Sequence, residues 1–168
     1  MVSSKVTPTV SHLREVNLLR KFSDSELADL IKLGQLQNFE PHSNIVIEGE
    51  LSWGIFLLLE GTVGIFKTNK LVGNLYDLGQ LHAGAFFGEM SLIDENPRAA
   101  TVKSLTDCSV FHISRDQFMV FLERAPDRKS RFFESCTRDL IQRLRELGDN
   151  YVVSQYQLWK SATKKEVA

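Results

Sequence analysis

The stretch Gly84-Ala85-Phe86-Phe87-Gly88-Glu89-Met90-Ser91-Leu92-Ile93-Asp94-Glu95-Asn96-Pro97-Arg98-Ala99-Ala100-Thr101-Val102 is the most informative part of the chain. It reads as a glycine turn, a short helix, a loop, a Pro-Arg pair and a strand. Gly88 permits tight backbone approach to something small. A helix opening at Gly88-Glu89 has backbone N–H groups without internal partners, a natural seat for an anion. Arg98 supplies a planar fork of donors that matches phosphate oxygens. Ala99 and Ala100 leave room beside that fork, and small side chains there expose backbone N–H groups to a ligand. Glu89 would repel a bare anion. An ionised Glu only accepts hydrogen bonds, however, and a sugar hydroxyl donates one. Glu89 with Arg98 therefore suits a ligand carrying both a hydroxyl and a phosphate. The plainer alternative is a partly exposed Glu89–Arg98 ion pair, stabilising by about 0–1 kcal/mol, with Phe86 and Phe87 as core. The residues alone leave both readings open.

Around this stretch the chain is rich in short extended segments. Ile45 and Ile47 alternate with Asn44, Val46 and Glu48 after Pro41. A strand is expected from Gly54 to Leu59, and another where Val63, Ile65 and Lys67 alternate with Gly64 and Phe66. Thr68-Asn69-Lys70 reads as a hairpin loop answered by Leu71 to Tyr76, with Asp77, Gly79 and Gly84 marking further turns. Extended segments return at Ala99 to Ser104 and Ser109 to Ile113. Helices gather at the two ends. Ser23 with Glu26 forms a capping box, Phe22 is placed as a staple, and Leu27, Leu30 and Ile31 make one apolar face up to about Gly34. Many short strands with helices at both ends imply a mainly β fold, a jelly-roll β-barrel flanked by N-terminal helices and a long C-terminal helix. Closure would remove exposed strand edges.

Downstream, Ser114 with Gln117 matches a second capping pattern. A longer helix begins near Asp127, in which Phe133, Thr137, Leu140, Leu144, Leu147 and Tyr151 step by four and three. This seam packs either on its own chain or against a second copy, giving a homodimer through residues 133–151. Gly148 with Asn150 marks a candidate break. The expected division is a lead-in over 1–10, a main domain over 11–125, a helical extension over 126–159 and a frayed tail over 160–168.

The chain has 168 residues, 43% hydrophobic and 24% charged, which suits one domain with a full core and an added element. No run of apolar residues is long enough to span a bilayer and no secretory signal is present, so a cytoplasmic domain without membrane contact is expected. Cys108 and Cys136 lack metal-ligand spacing, and the four histidines form no cluster, so no metal site is expected. Net charge is −1, but residues 1–127 carry −5 and residues 128–168 carry +4. A solvated helix face explains that tail, and direct nucleic-acid binding is not expected. No Ser/His/Asp grouping or Walker glycine loop is present, so the chain does not read as an enzyme.

The 84–102 stretch resembles the phosphate-binding cassette of the cyclic-nucleotide-binding family, typified by protein kinase A regulatory subunits and the catabolite activator protein. The resemblance is carried by Phe87-Gly88-Glu89, Leu92 and Pro97-Arg98-Ala99-Ala100. Ile45, Gly49, the strand ending at Leu59, Gly61 before Thr62-Val63, and Gly84 extend it over residues 13–125. The turn after Pro41 departs from the family, with His42 and Ser43 where glycine is frequent. The resemblance implies that Arg98 holds a cyclic phosphate and that Glu89 accepts from the ribose 2'-hydroxyl. Gly88 and Ala100 would add backbone contacts, and Val63, Leu75 and Met90 would be apolar neighbours of ribose or base. Ala99 stands at the base-selecting position and implies cAMP rather than cGMP. A lid from the C-terminal helix is implied without a motif to place it, the candidates being Arg138, Leu140 and Leu144. The implied function is a sensor that couples cyclic-nucleotide binding to movement of that helix and an attached effector. The alternatives are a degenerate, non-binding barrel that serves as an interaction module, or the sensor piece of a transcription factor whose DNA-binding domain is absent. Seventeen residues after Tyr151 are too few for such a domain.

Overall fold

A computed structural model of the chain describes residues 8–52 and 54–165. The first seven residues of the expected lead-in and residues 166–168 of the expected tail lie outside the described residues. Two compact units are present, Met1–Ser135 and Cys136–Ala168.

The first unit opens with helix α1 (Val10–Glu15), a 3-10 turn (Asn17–Leu19) and helix α2 (Asp24–Ile31). Eight strands follow: β1 (Gln35–Phe39), β2 (Asn44–Val46), β3 (Gly54–Glu60), β4 (Thr62–Thr68), β5 (Leu75–His82), β6 (Phe86–Phe87), β7 (Thr101–Ser104) and β8 (Cys108–Ser114). Helix α3 (Glu89–Asp94) interrupts them between β6 and β7, and α4 (Arg115–Glu123) and α5 (Pro126–Lys165) complete the chain.

The expected mainly β, closed jelly-roll barrel is corrected here. The strands form two separate antiparallel four-stranded sheets, in the orders β1-β8-β3-β6 and β2-β7-β4-β5. Closure would require an edge strand of one sheet to bond to an edge of the other, and no ladder joins them among the described residues. The sheets meet instead through side chains. Phe56, Leu58, Phe87, Cys108 and Val110 from the first sheet pack with Val46, Val63 and Val102 from the second. This is a sandwich, and one edge of each sheet is blunted by brevity: β2 has three residues and β6 has two. The single helix α5, at 40 residues, also makes helix as prominent as strand.

Other local expectations shift. β1 had no strand signal of its own, because Gln35, Gln37 and Asn38 mask the alternation. It is a strand through its pairing with β8. The loop after β4 is longer than the tripeptide expected, running from Asn69 to Asn74. Asn69 Oδ1 caps Leu71 N–H at 2.8 Å, and Gly73 N–H bonds the Asn69 carbonyl at 2.8 Å. Asp77 and Gly79 lie within β5 rather than in turns. Ile65 pairs with Gly79 and Phe66 with Asp77, so the extra residue between them is absorbed as a bulge. The Ser114 hydroxyl donates to Gln117 Oε1 at 2.8 Å instead of capping the backbone of α4. α5 passes through Gly148 without a break.

The Ser23 capping box of α2 forms as expected, with Glu26 N–H on Ser23 Oγ at 3.3 Å and Ser23 N–H on Glu26 Oε2 at 2.7 Å. Glu26 has a second task. Its carboxylate accepts from Arg128 Nε at 2.9 Å and Arg131 Nη2 at 2.7 Å, both from the first turns of α5. Arg131 also donates to the Lys21 carbonyl at 2.6 Å. The two guanidiniums lie over Phe121 and Phe22, which stack on each other. Beneath them Phe22, Phe118, Phe121, Phe132, Leu13, Leu19 and Leu27 are fully buried, each worth about 1.5–3 kcal/mol against exposure. Among the described residues no helix is long and apolar enough to cross a membrane.

Arg131 is the main reason that the Glu26 carboxyl is held at about 2, against the upward push of burial and with help from the Ser23 N–H and Arg128. A carboxylate with a lowered folded-state pKa stabilises the fold above its ordinary value of 4.5 and loses that contribution as pH falls towards 2. Glu26→Gln is expected to reduce stability to urea at neutral pH by about 2–3 kcal/mol. That gap should close as unfolding is followed from pH 4.5 towards 2. A gap that does not vary with pH would contradict the role given to the charge.

Candidate functional site

β6 ends at Phe87, and the chain must then reverse into α3 within one residue. Gly88 does this with φ of 87°, in the left-handed region. Space demands glycine as well. A Cβ there would stand 2.7 Å from Arg98 Nη1 and 2.7 Å from the Gly54 carbonyl oxygen. In α3, Glu89, Ser91 and Leu92 face inward and are buried, whereas Met90 and Ile93 are exposed. The helix closes on Glu95 in the left-handed region, and Asp94 Oδ1 accepts the Asn96 N–H at 3.1 Å, turning the chain towards Pro97.

Arg98 is fixed at both ends. Its backbone N–H donates to the Glu50 carbonyl at 3.0 Å, and its carbonyl accepts from Gly49 N–H at 2.9 Å. Arg98 as a whole residue is only 4% exposed. Nη1 donates to Ser91 Oγ at 2.7 Å and to the carbonyls of Gly54 and Gly88 at 3.2 Å each. Nε donates to Ser52 Oγ at 3.1 Å. The Ser91 hydroxyl in turn donates to the Gly88 carbonyl at 3.3 Å. Below, the guanidinium lies 5.2 Å from the centre of the Phe56 ring, which stacks between Phe87 and His112.

Burial pushes the Arg98 pKa down, and the negative charges of Glu89 and Glu50 push it back up. His112 is shifted down, first by burial and then by Arg98, so the neutral imidazole is favoured beside the cation. Glu89 is 3% exposed. The partly exposed ion pair considered from sequence therefore does not describe these residues, because both are buried. A buried acid and base near each other are costly to desolvate and weak evidence of stabilisation.

Gly88, Glu89 and Arg98 are thus brought together. Ala99 is exposed and Ala100 half-buried, both just ahead of β7. The three apolar candidates are not part of this hydrogen-bonded network. Val63 is fully buried in the core between the sheets, Leu75 opens β5 opposite Thr68 and is exposed, and Met90 is exposed on α3. Arg138, Leu140 and Leu144, the lid candidates, lie on α5 in the second unit. Ser52, Gly54, Phe56, Ser91 and His112 were not singled out from sequence. Of these only Ser91 carried a local signal, three residues after Gly88 on the same short helix.

A family model described as the cyclic nucleotide-binding domain matches residues 36–125. The chain is 29% identical over 134 residues to a cAMP-dependent protein kinase regulatory subunit of Neurospora crassa, covering 79% of this chain and 34% of that protein. It is 33% identical over 82 residues to the cyclic AMP receptor protein of Thermus thermophilus, covering 49% and 38%. The chain thus spans 34% and 38% of the length of these curated relatives. A solved cyclic nucleotide-binding domain from Methylobacillus flagellatus superposes with a TM-score of 0.76 at 24% identity, covering 85% of this chain and 84% of that one, a likeness of fold.

The close packing of Gly88 against Arg98 has a direct test. Gly88→Ala is expected to lower stability by about 2–4 kcal/mol, from left-handed strain plus the collision. Gly49→Ala is the control, since Gly49 has φ of 85° and nothing within 4 Å of the added carbon. Urea unfolding should show the larger loss for Gly88→Ala. Equal losses would contradict the packing described.

Proposed function

The chain belongs to the cyclic nucleotide-binding domain family, and from that premise we propose that it is a cAMP sensor in which Arg98 receives the cyclic phosphate. It is a regulatory, non-catalytic domain. The observation that carries the reading is the buried guanidinium, which donates to Ser52, Ser91 and the carbonyls of Gly54 and Gly88. All four acceptors are uncharged. A phosphodiester would give the same guanidinium an anionic acceptor shaped for its planar fork, adding the attraction of opposite charge to what the neutral oxygens supply. Glu89, buried beside it, accepts from the ribose 2'-hydroxyl. Gly88, Ala99 and Ala100 border the phosphate through small side chains and backbone. Leu75 and Met90 have exposed surface to offer the ribose or base, with Val63 as core beneath. Ala99 at the base-selecting position favours cAMP over cGMP, and the Neurospora and Thermus relatives are both named for cAMP.

Output follows from what α3 touches. Arg115, the first residue of α4, donates to the Leu92 carbonyl at 3.4 Å and pairs with Glu95. The last turn of α3 is therefore tied to α4, which leads directly into α5. A ligand that binds one arrangement of this hinge better than another shifts its population, and an effector attached beyond α5 reads the shift.

Calorimetric titration tests the reading. cAMP should bind more tightly than cGMP, with affinity lowered ~100-fold by Arg98→Ala and ~10-fold by Glu89→Ala, since the latter contacts a neutral hydroxyl. No heat with either nucleotide would favour a non-binding interaction module. A greater loss with Glu89→Ala than with Arg98→Ala would contradict the ranking.

A homodimer through residues 133–151 has separate support. Leu144, Leu147 and Tyr151 step along α5 by three and four and are 68%, 49% and 64% exposed. A second copy is the partner such a seam fits. Sedimentation over a range of concentrations should show association that Leu140→Asp with Leu144→Asp abolishes. A monomer at all concentrations would exclude it.

A further inference from the structure

We infer that Lys67 is a positioning residue that aims the Ala100 N–H at the phosphate. The inference rests on the reading of Arg98 as the phosphate anchor and adds a residue outside the cassette to the site. Val63, Ile65 and Lys67 share one face of β4. Val63 on that face is fully buried between the sheets, so Lys67 is the polar end of an inward-facing row.

Its ammonium is 2.9 Å from Glu48 Oε1 and donates to the carbonyl of Ala99, the residue directly after Arg98. Glu48 is held in turn. Its Oε2 accepts the Thr68 N–H at 2.8 Å, and its own N–H donates to Thr101 Oγ1 at 3.0 Å. The Thr68 N–H and then Lys67 hold the Glu48 carboxyl down at about 2, so it is an anion across the working pH range. Lys67 thus stands on a fixed counter-charge and reaches over to the cassette.

The consequence follows from peptide geometry. The bond between Ala99 and Ala100 is trans, so the Ala99 carbonyl and the Ala100 N–H lie in one plane and point in opposite directions. Whatever holds the carbonyl aims the N–H. The preceding peptide is set in the same way, because Gly49 N–H holds the Arg98 carbonyl and so orients the Ala99 N–H. Two consecutive N–H groups next to the anchoring guanidinium are therefore aimed from behind, one by backbone and one by the Lys67 side chain. Ala99 is exposed and has only a methyl group, so it has little packing of its own to hold this peptide.

A partly exposed Lys–Glu pair by itself would contribute little and could be replaced without effect on a ligand. Positioning makes a different demand, which three variants can read: Lys67→Met, which keeps the stem and removes the charge, Lys67→Arg, and Lys67→Gln as a second neutral form in case the methionine variant fails to fold. Calorimetry with cAMP is paired with amide NMR of the ligand-free chain. The neutral variants should bind cAMP ~5- to 10-fold more weakly, the loss of one charged hydrogen bond acting through the backbone. Their Ala100 amide resonance should move and its hydrogen exchange should quicken, and Lys67→Arg should restore both. Wild-type affinity in a folded neutral variant, an unmoved Ala100 resonance, or lost binding that arginine does not rescue would each overturn the inference. Should the wild-type chain take up no cyclic nucleotide, the Arg98 reading fails, and the Ala100 amide still decides whether Lys67 orients this peptide.

Discussion

Taking the Arg98 guanidinium out of water is the constraint around which the site is built. A buried cation costs several kcal/mol unless its donors find oxygen, and the fold supplies oxygen from two separate segments: Ser52 and Gly54 before and at the start of β3, and Gly88 and Ser91 at the entry to α3 and within it. The glycines on either side leave space that a Cβ would take. At Gly88 an added carbon would strike the guanidinium, and at Gly54 it would strike the His112 ring. Phe56 completes the arrangement by offering the cation the face of its ring.

A cation whose hydrogen bonds to Ser52, Gly54, Gly88 and Ser91 end on neutral oxygens, with the charges of Glu89 and Glu50 nearby, is stable enough to fold around and still has more to gain from an anion in direct contact. That difference gives the ligand its leverage, because a bound group moves an equilibrium only through unequal affinity for its two arrangements. The surrounding bonds tie the cassette to strands on one side and to helices on the other. Glu48, Gly49 and Glu50 hold the backbone from Arg98 to Thr101 against the end of β2. Across α3, Arg115 ties Leu92 and Glu95 to α4. At the far end of α4, the first turns of α5 are clasped to α2 by Glu26 with Arg128 and Arg131. In the proposed sensor, a displacement of α3 would be resisted at one end by strands and passed on at the other through helices.

Sequence disclosed the parts of this arrangement whose chemistry is local. Gly88, Glu89 and Arg98 lie within eleven consecutive residues and need those side chains at that spacing. The Ser23–Glu26 box is likewise a contact within one helical turn. Closure was not legible, since short alternating strands read the same in a barrel and in a sandwich, and only the pairing of edges distinguishes them. β1 was hidden because its polar residues become strand only through partners more than 70 positions away. β5 was cut short in the reading because Asp77 and Gly79 signal turns, whereas a bulge admits both. The Arg98 partners Ser52 and Gly54, the clasp of Glu26 by Arg128 and Arg131, and the reach of Lys67 to Ala99 are all contacts between distant segments, for which the residue types alone give no signal.

The central claim concerns where one anion sits, and a crystal structure of the cAMP complex tests it most directly. The account predicts exocyclic phosphate oxygens within hydrogen-bonding distance of the Arg98 guanidinium and the ribose 2'-hydroxyl on the Glu89 carboxylate. A nucleotide seated elsewhere, with Arg98 still bound to Ser91 and to the carbonyls of Gly54 and Gly88, would contradict it.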